Sequence, residues 1–85
     1  MSVDQTLAER GSRYGRFADQ ALIEQSLINI MRSTPGWQRL ASDQKSALEM
    51  VAVKTARILN GDPDYIDNWH DMAGYATLIV RRLSE

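Results

Sequence analysis

Apolar side chains recur every three to four positions over most of this chain, and that period predicts helices throughout and no strand. From Phe17 to about Met31 the apolar positions are Phe17, Ala21, Leu22, Leu27, Ile28 and Met31, much of that set on one face, with Asp19, Gln20 and Glu24 elsewhere. Ser33-Thr34-Pro35-Gly36 breaks the pattern, and Trp37 and Leu40 follow as an apolar plug beneath the next helix. A second helix is expected from an N-cap at Ser42 to Leu59, ended by Asn60-Gly61. Leu48, Val51, Ala52, Thr55 and Leu59 form one stripe on it, and Met50, Val53 and Ala56 widen that stripe around the circumference. A helix this apolar touches more than one neighbour.

Asp62-Pro63 is expected to start the last helix, over 63–84, with proline in its first turn. Trp69, Met72, Ala73, Ala76, Val80 and Leu83 give it a core stripe. Asp67, Asp71, Gly74 and Leu78 fall on nearly the opposite face, at about 100° per residue. Before all of this, Ser2 to Arg10 reads as a short helix or arm stopped by Gly11, and Arg10 to Phe17 (RGSRYGRF) as a turn. The resulting expectation is a single all-α domain, 1–85. Residues 1–16 would form an N-terminal arm and Arg/Gly turn, and 17–85 a bundle of three main helices. The helices 42–60 and 63–84 would pair as an antiparallel hairpin.

Composition narrows this picture. Eighty-five residues leave no room for a second core, and so small a domain often needs a stabilising device. The absence of cysteine excludes disulfides and thiolate metal sites, and the single His70 argues against structural zinc. Homo-oligomerisation is the device left. Ten basic against eleven acidic residues give no broad footprint for duplex nucleic acid. No apolar run approaches the roughly 18 residues that a membrane span requires, and MSVDQTLAER does not read as a signal peptide, so a cytoplasmic protein is expected.

Two constellations carry candidate chemistry. Asp67 and Asp71, one turn apart, could join Glu49 of the preceding helix in holding Mg²⁺ against a nucleotide's phosphates, since hard cations take a few carboxylate oxygens and keep several waters. The plain alternative is solvated charge, with Asp71 bridging to Lys54. Arg10, Arg13 and Arg16 surround Tyr14 and Phe17 between glycines, a set suited to phosphate and to stacking on a base. Its plain alternative is an ordinary turn with packed aromatics and solvated arginines. His70 reads as a surface or interface residue, and Trp37 and Trp69 as core.

RGSRYGRFAD, PGW, ALEMVAVKTARILNGDPDY and DNWHDMAGYATL together resemble a family of small uncharacterised phage and prophage proteins, over about Glu9 to Leu83. That family is distantly similar to phage nucleotide-modification-associated domains and, through them, to the MazG-like all-α NTP pyrophosphohydrolases. The resemblance implies a nucleotide site with Lys54 and Arg57 on one helix and Asp67, Asp71 and Tyr75 on the next. MazG-like enzymes bind Mg²⁺ through an ExxE and an ExxD motif. This chain departs from them, offering only Glu49 on the first helix and Asn68 where the second motif has Glu.

The preferred expectation is therefore an accessory protein of a phage in its bacterial host, binding a nucleotide or nucleotide-derived signal in a sequestering or counter-defence role. Arg13, Lys54 and Arg57 would meet phosphate, Tyr14 would stack on the base, and Asp67 and Asp71 would hold Mg²⁺ or a ribose hydroxyl. One alternative is a Mg²⁺-dependent NTP pyrophosphohydrolase using Glu49, Asp67 and Asp71. Another is an interaction module that inhibits a host defence or replication protein and exposes a contiguous apolar patch.

Overall fold

The computed structural model describes residues 2–85 and is all-α, in the order α1 (Val3–Tyr14), α2 (Phe17–Arg32), a 3-10 turn (Pro35–Arg39), α3 (Ser42–Asn60) and α4 (Ile66–Leu83). No strand occurs among the described residues. The main α-helices number four where the periodicity predicts three, because the N-terminal arm is a full helix. Ser2 opens α1 with a reciprocal cap: its hydroxyl accepts from the Gln5 N–H, and the Gln5 side chain accepts from the Ser2 N–H. Gly11 does not stop α1, since glycine inside a helix costs only about 1 kcal/mol relative to alanine. The stop falls at Gly15, whose φ of 75° is in the left-handed region.

α3 is the spine and contacts α1, α2 and α4. The small Ala52 and Ala56 are buried on it and let neighbouring helices approach, and Ile28 of α2 and Trp37 of the 3-10 turn are buried as well. These four are the only buried apolar residues among those described, a thin core for a domain this size. Trp37 thus takes the plug position expected of it. α3 starts one residue after the Ala41 cap, and the Gln44 side chain accepts from the Ala41 N–H, so Ser42 is its first residue and not its cap.

α3 and α4 form the expected antiparallel hairpin. Two ion pairs hold it in one register: Lys54 with Asp71 at 3.0 Å, and Asp43 with Arg82 at 2.7 Å, separated by eleven positions on each helix (43 to 54, 71 to 82). α4 begins at Ile66, not at Pro63. The Asp62 carboxylate accepts from the Asp64 N–H and folds DPDY into a turn, and the Pro63 carbonyl accepts from the Trp69 indole at 2.9 Å.

The orientation of α4 also differs from expectation. Trp69, Val80 and Leu83 are 52%, 61% and 61% exposed, and Ala73 and Ala76 are exposed as well. Asn68 is fully buried, and Met72, Tyr75, Ile79 and Arg82 are half-buried at the same helical spacing. The ion pairs of Asp71 and Arg82 with α3 go with this rotation, in which the apolar stripe faces outward. No helix among the described residues is long and apolar enough to cross a membrane.

Candidate functional site

The turn between α1 and α2 is docked on the turn between α3 and α4, so the two motif-rich stretches of the sequence form one structure. Asn60 binds them: its amide donates to the carbonyls of Tyr14 and Arg16, at 2.8 and 3.0 Å. The Asp62 N–H donates to the Arg13 carbonyl at 2.8 Å. A side chain at Gly15 would overlap the Asn60 carbonyl, and one at Gly61 would overlap the Arg13 carbonyl and the Tyr14 backbone. Glycine is required at both places because two backbones meet there.

On this junction four side chains stack in sequence. The Arg57 guanidinium lies 4.5 Å from the Tyr14 ring centroid, Tyr14 lies 6.2 Å from Tyr65 at a 56° tilt, and the Arg13 guanidinium lies 4.1 Å from the Tyr65 ring centroid. The Tyr65 hydroxyl donates to Asp67 at 2.7 Å. That hydrogen bond, reinforced by burial, holds the Tyr65 phenol above the usual tyrosine range despite Arg13 alongside. The buried Nε of Arg13 and of Arg57 have no hydrogen-bond partner; Glu9 lies 3.7 Å from Arg13 Nε, too far for one.

Beside the stack is a cavity of about 510 Å³, a size in the range of small-molecule sites. Arg10, Arg16 and Arg57 line it together with Leu7, Phe17 and the buried Gln20, and no carboxylate is among its lining residues. Arg10 has no ion-pair partner among the described residues. Phe17, 76% exposed, offers an aromatic surface at its edge. Guanidiniums beside apolar and aromatic surface are a set that suits an anion with an apolar or aromatic part.

The sequence-predicted residues divide between two places. Arg13, Tyr14, Arg57 and Asp67 meet at the junction. Lys54, Asp71 and Tyr75 sit about one turn further along α3 and α4. There Lys54, 8% exposed, holds Asp71, and Tyr75 is half-buried beside Gly74. Glu49 points elsewhere: both Nε and Nη2 of Arg32 on α2 donate to it, at 3.1 and 2.6 Å. Glu49, Asp67 and Asp71 therefore each hold a different partner, and no three His, Asp or Glu side chains gather among the described residues. His70 is exposed on α4, as expected of a surface residue.

Tyr65 and Asn60 at the junction, and Gln20 in the cavity wall, are candidate residues that the sequence reading passes over. The first two were detectable in the NGDPDY turn, where a side-chain amide and a ring flank a glycine. Gln20 gives no such signal, being one polar residue within an amphipathic helix.

The chain belongs to the DUF6378 family, a domain of unknown function, whose profile matches residues 3–82. No curated protein and no solved structure matches it.

Proposed function

We propose that this protein binds a nucleotide or nucleotide-derived anion in the cavity between α1, the start of α2 and the end of α3. The observation that carries the reading is that three arginines, Arg10, Arg16 and Arg57, line one partly apolar cavity without a lining carboxylate, Arg16 being also paired with Asp19 at 3.8 Å. Guanidinium forks match phosphate geometry, and Arg57 makes no ion pair among the described residues. Phe17 is the better stacking surface for a base, because the Tyr14 ring is already engaged by Arg57 and Tyr65. Lys54 and Asp71 act as internal supports of the hairpin in this reading, with Tyr75 beside them.

Binding is favoured over Mg²⁺-dependent pyrophosphate release because the carboxylates which hydrolysis would need are already committed, Glu49 to Arg32, Asp67 to Tyr65 and Asp71 to Lys54. A sequestering role, as in a phage accessory protein acting against a nucleotide signal of its host, follows from binding without turnover.

Isothermal titration with nucleoside triphosphates and cyclic dinucleotides, each with and without Mg²⁺, tests this. A Mg²⁺-independent heat that falls at least tenfold in affinity with Arg57→Ala is the expected result. Affinity unchanged in Arg57→Ala removes the cavity from the site. Pyrophosphate release lost in Asp71→Asn would replace binding with hydrolysis.

A further inference from the structure

The outward face of α4 carries a pattern which the folded monomer does not use. Ile66, Trp69, Ala73, Ala76, Val80 and Leu83 are all exposed and follow the alternating three- and four-residue spacing of a helix–helix seam. Six of the twelve exposed large apolar side chains, these four large ones with Leu48 and Leu59 of α3, lie on the α3–α4 hairpin on this side. The chain exposes 6032 Å², whereas a compact monomer of 9.6 kDa exposes about 5,100 Å² by mass scaling. The excess, roughly 900 Å², matches the about 800 Å² that each partner gives to a standard stable interface. Part of it belongs to the extended α1.

The seam is also palindromic in size: large, large, small, small, large, large. A second α4 laid antiparallel would set Ile66 against Leu83, Trp69 against Val80 and Ala73 against Ala76, and the small residues at the centre would allow close approach. Charge agrees with that direction. α4 starts with Asp64 and Asp67 nearby and ends with Arg81, which has no ion-pair partner among the described residues. Antiparallel packing brings the acidic end of one helix to the basic end of the other and opposes their dipoles favourably, whereas parallel packing sets like charges together. Trp69 is ready to be dried: its indole N–H is already donated to the Pro63 carbonyl, so burying the ring strands no donor. Opposite Val80, it would sit over an apolar groove of about 330 Å³ walled by Ala76 and Ile79 on α4 and by Leu48 and Val51 on α3.

We infer that this face is the interface of a two-fold symmetric homodimer, in which two α3–α4 hairpins close an antiparallel four-helix bundle through their α4 seams. The inference does not depend on what the cavity by α1 binds.

Light scattering on the full chain over a dilution series should give twice 9.6 kDa at micromolar concentration. Val80→Glu, at an exposed position that the monomer does not need, should return the mass to 9.6 kDa with unchanged helical circular dichroism. Leu78→Glu, on the opposite side of α4, should leave the dimer intact. The chain has no cysteine, so direction is testable by oxidation: Ile66→Cys and Leu83→Cys chains, mixed, should form the mixed disulfide. A wild-type mass of 9.6 kDa at high micromolar concentration overturns the second copy as occupant and leaves the face to a different protein. A dimer that survives Val80→Glu overturns the seam, and Ile66→Cys chains that link to themselves overturn the antiparallel register.

Discussion

The junction of the two turns and the outer face of α4 are neighbours in sequence, yet they are finished to different degrees. At the junction, Asn60 satisfies two carbonyls, Asp62 a third, and two glycines let backbones touch. Along α4, a few residues on, a seam from Ile66 to Leu83 stands largely in solvent. Polar turn chemistry acts over a few residues and closes within the chain. An apolar stripe states only that something must cover it, and a second molecule meets that demand as well as the same one. The junction is where this protein specifies itself; the α4 face is where we infer that a second copy docks.

The sharpest way to break the comparison is to disturb the junction. Gly61→Ala places a methyl group onto the Arg13 carbonyl and the Tyr14 backbone, neither of which is a flexible chain end. A loss of about 3 kcal/mol, at the top of the overpacking range, is expected by urea unfolding. A loss below about 1 kcal/mol would mean that α1 is not seated firmly on the hairpin.

How far each region could be read from the sequence follows the same division. Asn60-Gly61 is recognisable as a helix stop, and the Arg–Tyr–Gly turn as a candidate site, because glycine and asparagine carry local backbone requirements. Their mutual docking was not legible, since it depends on hydrogen bonds between residues 44 and 46 positions apart. The Trp69–Leu83 stripe is legible as a stripe, yet apart from the half-buried Met72 it lies on the outer side of α4. Periodicity fixes a face relative to the helix axis, not relative to the molecule. The observed rotation of α4 goes with Lys54–Asp71, which the sequence holds open as an alternative, and with Asp43–Arg82, a long-range ion pair for which no local pattern exists. The N-terminal helix runs past the expected stop at Gly11, because the left-handed residue is Gly15 and a glycine's φ is not written in the sequence.

A milder test acts on the other region. Gly74 lies on α4, and a methyl group added there meets nothing within 4 Å. Gly74→Ala should therefore stabilise the chain by about 0.5–1 kcal/mol through helix propensity alone. Thermal unfolding checks the sign. A decrease would show that another surface closes on Gly74, and so that the contact face of α4 is wider than its apolar seam.

The smallest effect concerns the pair at the open end of the hairpin. The Arg82 guanidinium, donating two hydrogen bonds of 2.7 Å, holds the Asp43 carboxyl below the usual aspartate range. A carboxyl depressed in the folded state adds stability that is complete above its unfolded value, 3.8, and is lost as pH falls through the lower folded value. Both groups are at the surface, so the contribution is modest and screened by salt. Arg82→Gln should accordingly lower the melting temperature slightly at neutral pH and flatten its decline in acid, with the two proteins converging at the lowest pH. Parallel acid limbs would mean that Asp43–Arg82 adds no stability to the folded chain.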